Sequence, residues 1–147
     1  MNLVQKTEHW GDTHHSHFLD VIRFILGLFI FIKGITFLSD MKPLQDLIST
    51  RFNYVPVFAV HYIAFAHLVF GPLLAIGLLT RFSAIVQIPI LIGAVFFINM
   101  APGFDAINSE LWLSIIVLLL LVFFFISGSG NWSVDEYMKT HIKHREV

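Results

Sequence analysis

Long apolar runs alternate with short polar breaks along this chain. Four runs stand out: Phe18 to Leu38, Val57 to Leu79, Phe82 to Met100 and Glu110 to Ser127. A helix rising 1.5 Å per residue needs about 20 mostly apolar residues to cross roughly 30 Å of hydrocarbon. These runs have that length, and none shows the two-residue alternation of a barrel strand. Lipid offers the backbone no hydrogen-bond partner, so each run must satisfy its own amides as a helix. The pattern predicts an all-α integral membrane protein, an antiparallel four-helix transmembrane bundle. The helical part is expected over residues 18–137, with polar tails at 1–17 and 138–147.

The breaks refine this picture. Thr80-Arg81 separates the second and third runs, so a tight turn is expected there and the two helices must be antiparallel neighbours. Ala101 to Ser109 carries Pro102 and Gly103 and reads as a loop. Ser39 to Pro56 is longer. Within it Pro43, Leu44, Leu47 and Ile48 have the spacing of a short amphipathic helix, with Pro43 preset for a helix start. Such a helix is expected to lie in the membrane interface.

Composition agrees. Of 147 residues, 56% are apolar and 13% charged, whereas a soluble domain holds about 45–50% and about 25%. Such a chain needs lipid as a solvent. The net charge of −1 gives no electrostatic footprint for a nucleic acid. There is no Cys, which excludes disulfides and thiolate metal sites. The first seventeen residues lack an apolar h-region, so the first run is expected to act as an uncleaved anchor.

Lys and Arg set the expected orientation. Lys6, Arg81, Lys139, Lys143 and Arg145 fall on the side of the two termini, against Lys42 and Arg51 on the other. Both termini are therefore expected inside. Trp112, Tyr54 and Tyr62 would anchor the outer interface, and Trp132 and Tyr137 the inner one.

Three features resemble the DoxX family of four-helix membrane proteins. The first run holds Arg23-Phe-Ile-Leu-Gly27 and a second glycine at Gly34. The second ends Gly71-Pro-Leu-Leu-Ala-Ile-Gly77-Leu-Leu-Thr80-Arg81, and the fourth continues into Gly128-Ser-Gly130-Asn-Trp132-Ser133-Val-Asp135. The resemblance covers about residues 18 to 137. One position departs from it: many members hold a Glu shortly before the first glycine of the second span, where this chain has His67. The resemblance implies a membrane subunit associated with redox enzymes, more a non-catalytic accessory than a standalone enzyme, in a bacterial inner membrane with cytoplasmic termini. Some relatives resemble the membrane part of a thiosulfate:quinone oxidoreductase, so a quinone is a candidate ligand and a cytoplasmic oxidoreductase a candidate partner. Two alternatives stand beside this: a non-enzymatic transport or scaffold protein acting as a homo-oligomer, and a small haem-binding electron carrier.

Ionisable groups within a membrane are costly and become site candidates by default. His67 lies near the middle of the second run. Pro72, lacking an N–H, deprives the Leu68 carbonyl of its intrahelical donor. The pair makes a polar spot that suits a quinone head or a proton relay, or a hydrogen bond to a neighbouring helix. His61 and His67 are six residues apart, about 240° around a helix, so one haem cannot take both. Asp20 and Arg23 can pair at three-residue spacing, and with Arg81 and Asp135 they are expected to form a charge cluster at the inner surface. That cluster is either structural glue or a docking site for an anionic ligand or a soluble enzyme. Gly27, Gly34, Gly71 and Gly77 are expected to let helices approach closely. Lys33 is expected to snorkel to the outer interface, with pairing to Glu110 as the alternative. Gln87 and Asn99 are expected to hydrogen-bond between helices. His9, Asp12, His14, His15 and His17 match no metal-site spacing and are expected to be a solvated tail. No nucleotide, metalloprotease or hydrolase motif is present.

Overall fold

The computed structural model describes residues 17–49, 57–99, 109–130 and 132–143. All described elements are helical. They are α1 (His17–Ser39), α2 (Lys42–Ser49), α3 (Val57–Ile76), α4 (Thr80–Gly93), α5 (Ser109–Ser127) and α6 (Val134–Lys143). A π-helical segment, Ala94–Asn99, prolongs α4. Among the described residues three helices are long and apolar enough to cross a membrane, and Thr80–Phe96 forms a shorter apolar one.

The first helix shows what solvent the fold needs. Its inward face carries Asp20, Arg23, Leu26, Gly27, Ile30 and Gly34. Its outward face carries Val21, Phe24, Ile25, Leu28, Ile32 and Ile35, all exposed. Both sets recur at three- and four-residue spacing, so each forms a stripe. The charged and smallest side chains point inward while the bulky apolar ones point outward. Water would select the reverse, and lipid accepts this arrangement.

The glycines let α1 meet α3 at backbone distance. A Cβ on Gly27 would overlap the Ala75 backbone nitrogen and stand 2.6 Å from Ala75 Cα. One on Gly71 would stand 2.7 Å from the Phe31 nitrogen, and one on Gly34 2.8 Å from that of Leu68. Rising numbers on α1 meet falling numbers on α3, so this pair runs antiparallel. In the next pair, Gln87 Nε2 donates to the Ala66 carbonyl at 2.9 Å and Phe70 meets Phe82 edge-on. The core between them gathers Leu26, Ile30, Leu74, Ala84, Leu121 and Phe124.

Local structure departs from expectation at the second turn. The helix before it ends at Ile76, and α4 already begins at Thr80. The turn is Gly77-Leu78-Leu79, not Thr80-Arg81. Gly77 (φ 72°) and Leu79 (φ 51°) are both left-handed, a region open to glycine and costly for leucine. Gly77 is therefore a turn glycine, not one within a helix face. The short helix expected after Ser39 is present as α2. Its Leu44 and Ile48 pack with Val60, against Phe37, Met41 and Ile63. Residues 138–143, expected as tail, continue α6. Tyr54, the Asn99 side chain and the tail residues His9, Asp12, His14 and His15 lie outside the described residues, so the readings placed on them do too.

Candidate functional site

The polar groups gather where the start of α1, the α3–α4 turn, the end of α5 and the start of α6 meet. Arg23 Nη1 donates to Asp20 Oδ1 at 2.9 Å, with the two side chains 2% and 4% exposed. Both ions also bind the backbone of one residue in the chain following α5. Arg23 Nη2 donates to the Trp132 carbonyl at 2.7 Å, and the Trp132 N–H donates to Asp20 Oδ2 at 3.2 Å. The carboxylate and the guanidinium thus hold the donor and the acceptor of the same residue. That reciprocal grip pairs the two charges in a place where a lone ion would be very costly, and among the described residues it leaves Arg23 Nε without a partner.

Asp135 does something different. Its Oδ1 accepts from the Leu79 N–H at 3.0 Å and its Oδ2 from the Thr80 N–H at 3.3 Å. It caps α4 from another element, replacing the side-chain cap that Leu79 cannot provide. The Asp135 N–H in turn donates to the Gly77 carbonyl at 3.2 Å. Ser133 caps α6 locally: its hydroxyl accepts from the Glu136 N–H at 3.1 Å and donates to the Gly130 carbonyl at 2.7 Å. Arg81 Nη2 reaches the Ile126 carbonyl at 3.4 Å, and its guanidinium lies against Gly128. Asp20, Arg23, Arg81 and Asp135 therefore share one end of the molecule, as expected. The hydrogen bonds there tie charges to backbone and join α1, α3, α4 and α5 to the chain entering α6.

Beside this junction lies a cavity of about 500 Å³ lined by Thr80, Arg81, Gly128, Asp135, Glu136 and Lys139, among others. Thr80 is 1% exposed, and its Oγ1 has no hydrogen-bond partner among the described residues. Ser83 Oγ and Gln87 Oε1 are likewise buried without one. The three side chains follow one another at three- and four-residue spacing, so a polar stripe runs up α4 from the cavity.

His67 is elsewhere. It sits opposite Gly34 between α1 and α3, with Phe37 edge-on to its ring at 5.7 Å. Its Nδ1 lies 2.8 Å from the Ile63 carbonyl of its own helix. In place of the hydrogen bond to a neighbouring helix considered from sequence, the ring makes an intrahelical one. Arg23 and Gly34 are eleven residues apart on α1, about 16 Å along the axis. The structure therefore does not unite His67 and Leu68 with Arg23, Arg81 and Asp135. His61 is exposed while His67 is buried, consistent with their opposed directions on α3.

At the opposite end, Lys33 Nζ lies 3.4 Å from Glu110 Oε2. The pairing alternative holds in place of free snorkelling, because α5 begins beside this part of α1. Gln87 makes the expected interhelical bond. Sequence reading missed the Trp132 peptide, which no side-chain pattern encodes. It also missed two legible signals, the Ser133-x-x-Glu136 cap and the Thr80, Ser83, Gln87 stripe. Among the described residues no group of three or more His, Cys, Asp or Glu could hold a metal ion.

With this geometry in view, comparison with known proteins is informative. Residues 18–100 match the model of the DoxX family. The chain belongs to the DoxX family. This DoxX protein is also 28% identical over 124 residues to an uncharacterized protein of Haemophilus influenzae, the similarity covering 81% of this chain and 82% of that one. No solved structure gives a significant match. The family match ends before the Gly128-to-Asp135 segment.

Proposed function

We propose that this DoxX protein is an accessory, non-catalytic membrane subunit of a quinone-linked oxidoreductase system. In this reading its apolar helices form an antiparallel four-helix transmembrane bundle, with both termini on the cytoplasmic side of a bacterial inner membrane. The soluble partner docks at the charged end. A quinone head enters from the lipid between helices, near His67 and the Leu68 carbonyl.

One observation carries the docking part. The junction leaves Trp132, whose backbone the buried Asp20–Arg23 clamp holds, 68% exposed, and Tyr137 on α6 63% exposed. Tryptophan and tyrosine are enriched at protein interfaces, where large amphipathic rings bury well. Arg23 acts from inside by fixing the Trp132 peptide, while Arg81 and Asp135 line the adjoining cavity.

The test is purification of the tagged protein from its native membrane in mild detergent, followed by mass spectrometry. Stoichiometric recovery of an oxidoreductase, lost in a Trp132→Ala/Tyr137→Ala variant that still folds, supports the subunit reading. Recovery of the chain alone as a defined oligomer overturns it in favour of the transport or scaffold alternative. A Soret band in the purified protein would turn attention to the haem alternative.

A further inference from the structure

The cavity at the charged end holds groups that the docking reading leaves unused, among them Thr80, Glu136 and Lys139. We infer that it binds the headgroup of a phospholipid bearing a phosphate and a primary ammonium, a phosphoethanolamine lipid. The inference depends on the membrane-spanning reading and not on the oxidoreductase partner.

Three features of the cavity lead there. The first is charge of both signs. Arg81 and Lys139 supply two cations, and Asp135 and Glu136 two carboxylates. Their sum is zero, so a purely anionic headgroup gains from one pair and is repelled by the other. A zwitterion can satisfy both. Asp135 already accepts from the α4 amides, which leaves Glu136 as the more available acceptor for an ammonium. Glu136 is 37% exposed and only 4.0 Å from Lys139, a distance that makes their own pairing weak.

The second feature is the floor. The Thr80 hydroxyl is buried and unpartnered among the described residues, at the edge of the cavity that Thr80 lines. A buried hydroxyl without a partner is costly, and a phosphate oxygen that settled far enough into the floor to accept from it would remove that cost. Arg81 presents a planar guanidinium to the same space, the side chain best suited to phosphate geometry. The third feature is the rim. Leu79, Phe82 and Met138 line the same cavity and are 53%, 52% and 42% exposed. They offer an apolar path for acyl chains directly beside the polar floor. A volume near 500 Å³ lies within the range of small-molecule sites.

The ammonium matters as much as the phosphate. A primary ammonium donates three hydrogen bonds, whereas a trimethylated choline donates none and would need an aromatic cage. Among the described residues Phe82 is the one aromatic ring in the lining.

The experiment is native mass spectrometry of the full chain in detergent. It is offered equal amounts of phosphatidylethanolamine, phosphatidylcholine and phosphatidylglycerol with identical acyl chains. Phosphatidylethanolamine should be retained at least about fivefold over either competitor. Thr80→Val, which keeps the side-chain shape, and Glu136→Gln, at a partly exposed site, should each reduce that preference at least threefold. Lys33→Gln, at the far end, should leave it unchanged. Equal retention of the three lipids would mean annular contact only and would overturn the inference. So would stronger retention of phosphatidylglycerol, or a preference that Thr80→Val and Glu136→Gln do not move. Carbonate extraction of native membranes separately tests the spanning reading: release of the chain would sink that reading, and retention with no lipid preference would sink the inference alone.

Discussion

Replacing Asp20 with Asn keeps the size and shape of the side chain but removes its charge. In the native structure Asp20 and Arg23 are 4% and 2% exposed and 2.9 Å apart. The variant would leave the Arg23 guanidinium buried without a counter-ion, still bonded to the Trp132 carbonyl. Removing one partner of a buried pair costs about 3–5 kcal/mol. On the scale of about 3 °C per kcal/mol for soluble chains of this size, the melting temperature should fall by about 10 °C. The compensating variant, Asp20→Leu with Arg23→Met, removes both charges. It should recover part of that loss but not all, because the Trp132 N–H and carbonyl then lack their partners, at about 1–3 kcal/mol each. The assay is thermal unfolding of each purified protein in one detergent, followed by tryptophan fluorescence and by aggregation. Fluorescence of the exposed Trp132 should also report loosening of its peptide before global unfolding. If Asp20→Asn shifts the transition by less than about 2 °C, the clamp is not structural and the argument fails. If the double variant is as stable as the parent, the Trp132 peptide contributes nothing and the grip is incidental.

Two further outcomes follow from the same geometry. Gly27→Val places a branched side chain where even one Cβ would overlap the Ala75 backbone, so α1 and α3 must part along their shared face. A loss of about 3 kcal/mol or more is expected, read as a collapse of the monodisperse peak in size-exclusion chromatography, with Gly93→Ala, where a Cβ meets nothing within 4 Å, as the tolerated control. Asp135→Ala removes the distant cap from the Leu79 and Thr80 amides. It should cost about 1 kcal/mol and speed hydrogen exchange at the start of α4 while leaving the middle of α1 unaffected.

The long apolar helices, the short amphipathic α2 and the close approach at small residues were legible because they depend on local composition and period. Twenty apolar residues must become a helix in lipid whatever surrounds them. The Asp20–Arg23 pair was legible too, since three-residue spacing brings side chains together on any helix. Tertiary structure decided the rest. The α3–α4 turn fell three residues earlier than expected because Gly77 and Leu79 accept left-handed backbone, while Asp135, 55 residues onward from Thr80, supplies the cap. The Asp20–Arg23 pair became a clamp on the backbone of Trp132 because the chain after α5 returns across the start of α1. A backbone N–H and carbonyl look the same in every residue of a sequence, so nothing in it marks Trp132 as their holder. Sequence alone determined which segments leave water and which side chains are costly to bury. Only the packed helices decided which backbone groups meet those side chains, because that depends on contacts between residues more than a hundred positions apart.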